Sequence, residues 1–302
     1  LIESEAQLES LRDEIVAGAQ DKRDEYAKLE RRVAKLRLEI YGRLTPYQRV
    51  QLSRHFDRPF SQDYIRYIIS DFVELHGDRL FRDDPAIVGG IGRLGGHAVV
   101  VVGHQRGRTT AERLHCNFGM PQPEGYRKAL RLFRLAEKFA LPVVTMIDTS
   151  GAYPGIEAEE RGQAEAIAHN LKELCGLKVP VIGVVLGEGG SGGALAIGVA
   201  DRILMLEYAC YSVITPEGCA SILWPSGYSE SPAQYAAVAA EALKLTAQDL
   251  QKFGIVDEIV PEPLGGAHRN HREAAELLRG VLLKHLEELK GWEIPELLKR
   301  RY

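Results

Sequence analysis

The sequence predicts an α/β fold with crossover connections, and three features of its 302 residues predict it. Short runs of consecutive β-branched and aliphatic residues read as strands covered on both faces. Two of these runs lead directly into glycine-rich turns. Stretches of helical period separate or follow the strands, as crossovers in a parallel sheet require.

The first 45 residues are charge-dense, and Gly18 and Gly42 are their only glycines. Leu8, Leu11 and Ile15 mark one helix, broken near Gly18. Tyr26, Leu29, Val33, Leu36 and Ile40 then step by three and four along one face of a second. The two seams either close on each other or dock on a partner. Thr45-Pro46 starts a further helix, and Asp57-Arg58-Pro59 marks a joint. The expected division is therefore a helical extension over 1–56 and a main domain over 57–302.

A helix is expected from Ser61 to Leu75, closed by His76-Gly77-Asp78. The clearest strands are His97 to Gly103, Pro142 to Asp148, Pro180 to Leu186 and Arg202 to Leu206. A helix-period stretch, Ala158 to Leu174, lies between the second and third. Apolar Ala194 to Val199 follows the third, and Pro232 to Leu243 and Ala274 to Leu289 add helices near the end.

Composition narrows the function. At 45% hydrophobic and 26% charged the chain is an ordinary globular protein, and a net charge of −4 excludes a generally basic nucleic-acid binder. Cys116, Cys175, Cys210 and Cys219 form no CxxC pair, so neither a zinc ribbon nor a disulfide framework is indicated. No metal site is expected on this chain. With no apolar run of membrane-spanning length and no signal-peptide core, a soluble cytoplasmic protein is expected.

The glycine turns carry the chemistry. The first, Asp148-Thr149-Ser150-Gly151-Ala152-Tyr153-Pro154-Gly155, follows the Val143 to Ile147 strand. The second, Gly187-Glu188-Gly189-Gly190-Ser191-Gly192-Gly193-Ala194, follows Val181 to Leu186. A helix opening at Gly192-Gly193 presents unpaired amides, which suit a developing oxyanion. The turn lacks the Lys-Ser/Thr of a Walker loop and the full GxGxxG of a dinucleotide fold. Gly189-Gly190-Ser191-Gly192-Gly193 does match the GxSxG elbow, and with Asp257 and His268 downstream a serine hydrolase is an alternative.

These turns, with Ala158-Glu159-Glu160-Arg161-Gly162-Gln163, closely resemble the α subunits of bacterial acetyl-coenzyme A carboxylase carboxyltransferase. So do Gly103-His104-Gln105, Asn117-Phe118-Gly119-Met120-Pro121, Pro123 to Ala129, Ser212 to Trp224 and Pro261 to Arg269. The resemblance runs from about residue 45 onward, and the N-terminal helices fit it too. It departs at Ser150, where Pro is expected, and at Leu114-His115-Cys116, which replaces a more basic stretch.

The resemblance implies a crotonase-like spiral of β-β-α units. It implies carboxyl transfer from carboxybiotin, supplied on a separate biotin carboxyl carrier protein, to acetyl-CoA, giving malonyl-CoA for fatty-acid synthesis. It further implies a zinc-ribbon β subunit in an α2β2 assembly. None of Met120, Met146 and Met205 precedes Lys, so the Met-Lys biotin attachment site is absent and no cofactor is bound covalently. ATP-dependent carboxylation of biotin then falls to a separate biotin carboxylase. A self-contained CoA-thioester hydratase or decarboxylase is a second alternative.

Such a transfer develops negative charge on the ureido oxygen of the donor and on the thioester oxygen of the acceptor, and each needs donors fixed in advance. By resemblance, Gly192 and Gly193 form the biotin-side oxyanion hole. Gly151, Ala152, Tyr153, Gly189 and Gly190 are expected to shape the surrounding wall. Arg106, Arg108 and Arg113, with Arg127 and Lys128 downstream, form the best basic cluster and are expected to meet CoA phosphates or an acidic partner surface.

Overall fold

The structure is a computed structural model that describes residues 1–224 and 232–301. Helices α1 (Ile2–Val16) and α2 (Arg23–Tyr41) pack on each other as a hairpin. Leu11 and Val33 are buried, one from each seam, while Ile40 at the end of the second seam is exposed. The hairpin is tied to the rest of the chain by Arg269, which donates to Glu5 at 3.0 Å, and by Tyr41 set edge-on against Tyr208.

Helix α3 (Pro46–Ser53) opens on a capping box between Thr45 and Gln48. It packs against strands of the sheet, with Val50 fully buried. Helix α4 (Ser61–Ile68) is shorter than the sequence predicts. From Ile69 the chain turns extended as β1 (Ile69–Glu74), pairing antiparallel with β2 (Ile87–Leu94). Burial of Ile68 and Ile69 against the core and the hydrogen-bonding demand of β2 override the local helical pattern.

Strand β3 (His97–His104) runs antiparallel to β2, and α5 (Thr110–His115) and α6 (Pro123–Lys138) cross over to β4 (Val143–Thr149). The expected Ala158 to Leu174 helix is two helices, α7 (Ile156–Glu160) and α8 (Gln163–Gly176). Gly162 separates them with φ of 82°, a left-handed conformation that ends the first. Strand β5 (Val181–Gly190) runs four residues past the expected end, because β7 (Cys210–Ser212) pairs with Glu188 to Gly190. Helix α9 (Ser191–Leu195) follows it without a break, then β6 (Arg202–Leu206).

After β7 come α10 (Pro216–Leu223), α11 (Pro232–Leu243), α12 (Ala247–Lys252), β8 (Glu258–Val260), α13 (His271–Lys290) and α14 (Ile294–Arg301). The strand order is β1-β2-β3-β4-β5-β6-β8, with β7 off β5, and pairing is parallel from β3 onward. Every residue of β4 and β5 is buried, as central parallel strands covered on both faces must be. Their carboxyl ends therefore deliver the two glycine turns side by side. No helix among the described residues is long and apolar enough to cross a membrane.

Candidate active site at two fused glycine turns

The turns after β4 and β5 meet backbone to backbone. A Cβ on Gly193 would lie 2.5 Å from the Gly151 carbonyl carbon and 2.6 Å from the Ala152 nitrogen. A Cβ on Gly190 would lie 2.1 Å from the Ser150 carbonyl oxygen. Glycine is required at both places by close approach, since any side chain would force the turns apart. Gly192 has no such neighbour: an added Cβ would meet nothing nearer than Ile167, at 3.8 Å. Gly192 is half-buried and Gly193 buried, and both amides lie in the first turn of α9, where an α-helix offers them no acceptor.

Ser191 joins β5 to α9 with φ of 51°, a left-handed value that L residues adopt at a cost. This reproduces the strand-to-helix bend of a nucleophile elbow. The rest of the hydrolase triad is not there. Asp257 exchanges hydrogen bonds with Ile203, which lies level with Gly183 at the start of β5. Eight residues of strand separate that level from Ser191, roughly 25 Å. His268 stacks on His55 at 4.1 Å, and burial pushes it down to about 4.

Beneath the turns lies a floor of paired charges. The Asp148 carboxylate accepts from the Glu188 amide at 3.0 Å and from Arg106 at 3.2 Å. Arg106 also donates to Glu188 at 3.0 Å, and Arg54 grips the same carboxylate at 2.7 Å and Glu217 at 2.9 Å. Burial pushes the Asp148 carboxyl up, while Arg106 opposes the shift. Both carboxylates next to the turns are thus held by guanidinium groups, which leaves neither as a free acid-base pair for a hydratase. His104, fully buried at the end of β3, accepts from the Asp148 amide through Nδ1 at 3.3 Å.

The expected wall divides. Gly151 faces open space, with only the Ser191 Cβ as near as 4.0 Å to an added Cβ, and Ala152 is half-buried beside it. Tyr153 is half-buried on the same turn, its amide donating to Pro121 at 3.0 Å and its carbonyl accepting from Gln163 at 2.9 Å. Gly189 and Gly190 are buried, the first under the Tyr211 ring and the second on Ser150. Both also line a small recess with Ser212, Thr215 and Leu245.

The basic cluster also separates. Arg106 belongs to the floor, where it is ion-paired twice. Arg108 pairs with Asp63 at 2.6 Å and lies over the Phe60 ring. Arg127 binds Asp78 and Glu124, and Lys128 is buried against Asp83 and the Asp84 carbonyl. Arg113 is the one of the five that keeps no ion pair among the described residues. It lines a cleft of about 190 Å³ with Arg54, Phe60, Arg106 and Phe118. Sequence reasoning missed Arg54 and Glu188 as partners, since 134 positions separate them and no local pattern joins them.

The whole chain, residues 1–302, matches the family model described as acetyl co-enzyme A carboxylase carboxyltransferase-like. It is 56% identical to the acetyl-coenzyme A carboxylase carboxyl transferase subunit alpha of Geobacter metallireducens, over all of this chain and 93% of that protein. The protein of the same name from Methylococcus capsulatus is also 56% identical, over all of this chain and 92% of its own length. Among solved structures, transcarboxylase 12S superposes with a TM-score of 0.63 at 20% identity, over 77% of this chain and 42% of that one. The β subunit of P. aeruginosa geranyl-CoA carboxylase gives 0.59 at 19% identity, over 83% and 46%. The chain spans less than half of either structure, and the fold it shares with them is the crotonase-like carboxyltransferase fold expected from the sequence. Matched along its full length at this identity, the chain belongs to the family of acetyl-coenzyme A carboxylase carboxyl transferase α subunits.

Proposed function

We propose that this chain supplies one half of a carboxyltransferase site, which moves the carboxyl group of carboxybiotin to acetyl-CoA and yields malonyl-CoA. The observation that carries the reading is the fusion of the two turns at Gly193 and Gly151, which fixes the α9 amides before any ligand arrives. Donors set in advance stabilise developing charge without reorganising, and losing one typically costs about 3 kcal/mol. In this reading the Gly192 and Gly193 amides face the biotin-side oxygen. Gly151 and Ala152 form the opposite wall, and Tyr153 closes one side. The Asp148-Arg106-Glu188 floor holds both turns and takes no proton.

In this reading the α9 amides serve one oxyanion where the reaction develops two, and water must be kept from both. A zinc-ribbon β subunit in an α2β2 assembly would supply the donors for the second. The carboxybiotin arrives as a substrate on a biotin carboxyl carrier protein, loaded by a separate biotin carboxylase, in the cytoplasm. Arg113 is the residue best placed to meet phosphate on an incoming ligand.

Reconstitution tests this. The purified chain alone, given acetyl-CoA and carboxybiotin, should form no malonyl-CoA, and an equimolar zinc-ribbon subunit should restore turnover. Turnover by the lone chain, shown by mass spectrometry to be free of partner, would overturn the shared site. Silence of the reconstituted pair would overturn the reaction itself.

A further inference from the structure

We propose that His104 is a positioning residue for carboxyl transfer, its ring N–H donating to the Gly193 carbonyl and holding the first turn of α9 with its amides toward the reactants. The inference rests on the function proposed above. Because Nδ1 accepts from the Asp148 amide, the neutral ring carries its proton on Nε2. That nitrogen is buried and has no hydrogen-bond partner among the described residues. A buried donor left unmade is costly, and a bond completed in another state of the site accounts for it.

The matching acceptor lies next to it. Where α9 ends, the Ala196 amide donates to Gly192 at 3.0 Å, but the Ile197 amide turns to Ala194 at 3.4 Å. The Gly193 carbonyl is skipped. The His104 ring lies within reach of the Gly193 and Met146 backbones. Met146 is registered between Gly103 and Val184 inside the sheet, whereas the Gly193 carbonyl lies outside the strand ladder. Bonds of this kind are often long in a resting site and tighten when it is loaded. Burial and the neighbouring Arg106 push His104 down to about 3, so it stays a neutral donor at working pH. It touches no substrate and acts only through the turn.

Two substitutions in the assembled enzyme separate this role from packing. Gln places its side-chain NH2 near the Nε2 position, whereas Asn keeps an acceptor for the Asp148 amide and falls short of Gly193. His104→Gln is expected to recover kcat to within about threefold, and His104→Asn to lose about 100-fold with both KM values unchanged. An Asn variant that turns over like the wild type, or a Gln variant as slow as Asn, would overturn the proposal. If the Asn variant does not fold, the wild type still decides. The 15N-resolved His104 Nε2–H resonance should move downfield when saturating biotin is added to the complex, and an unmoved resonance overturns the bond. A silent wild type counts against the reaction alone, since the proton shift is read without turnover.

Discussion

Gly193 rests on the backbone of Gly151: an added Cβ would stand 2.5 Å from its carbonyl carbon. The two turns are therefore one object, and a side chain at this contact acts on the fold before it acts on any ligand. Gly193→Ala and Gly190→Ala are expected to cost about 1–3 kcal/mol by overpacking, and to lower turnover with it. Gly192→Ala, with only Ile167 near, should melt within a degree or two of the wild type. Thermal melts of the three variants check this. Equal losses at 192 and 193 would show that the turns are not locked together.

Ser191 provides an independent check on the chemistry. Its φ of 51° is cheaper for glycine than for serine. Ser191→Gly should melt at or above the wild-type temperature, and Ser191→Ala should retain most carboxyl transfer, because the hydroxyl attacks nothing. Loss of turnover in Ser191→Ala at an unchanged melting temperature would restore a nucleophilic serine.

The arginines should divide by their partners. Arg106→Ala takes the guanidinium from Asp148 and leaves Glu188 to Arg54 alone, and removal of one partner from a buried pair costs about 3–5 kcal/mol. Its Arg side chain is 18% exposed, which places the loss toward the lower end. Arg113→Ala breaks no ion pair and should leave stability alone while raising KM for a phosphate-bearing substrate, more so at low salt. Steady-state kinetics at two ionic strengths distinguish the two outcomes. An Arg113 variant with unchanged KM at both would make that side chain a solvated one.

The buried His104 also sets a pH dependence. Its folded value of about 3 lies below the ordinary 6.5. Between these limits the unfolded chain binds a proton that the native chain refuses, so stability falls as pH falls from 6.5 toward 3. The slope for one such group is about 1.4 kcal/mol per pH unit. Asp84, pushed up to about 6 by burial, titrates in the opposite sense over part of this window, but it is present in every variant. Denaturant melts at pH 6 and pH 5 should show the wild type losing more stability than His104→Gln. Parallel losses would mean that His104 is protonated in the native state.

The elements legible in the sequence were those whose burial is written locally. The valines of β3 and the β4 and β5 runs are buried as their sequence suggests, whereas of the Tyr26-to-Ile40 seam Val33 is buried and Ile40 is exposed. The Ser61 to Leu75 reading failed because β1 exists only as a partner of β2, whose Gly89, Gly90 and Gly92 disguise it as a loop. Both glycine turns were visible, yet their contact was not, since it depends on β4 and β5 lying side by side. The floor was hidden for the same reason. Arg54 lies outside every motif, and His104 stood in the Gly103-His104-Gln105 motif with no local pattern to tie it to either turn.

Where the N-terminal extension ends is decided by what each segment touches. Helices α1 and α2 pack mainly on each other, and their ties to the remainder include Arg269 to Glu5 and the Tyr41–Tyr208 contact. Helix α3, only a few residues on, carries fully buried Val50, Ser53 within 3.2 Å of the Cys210 sulfur, and leads into Arg54 on Glu188. We place the functional boundary near Gly42, ahead of α3. A chain lacking residues 1–43 should fold, keep the Arg54–Glu188 pair and transfer carboxyl groups when assembled with its partner. A chain lacking residues 1–56 loses Val50, Ser53 and Arg54 together, leaving a cavity and an unbalanced carboxylate under the second turn. It should melt many degrees lower and turn over slowly even where it assembles. Comparable melting and turnover in the two truncations would show that α3 is dispensable to the site.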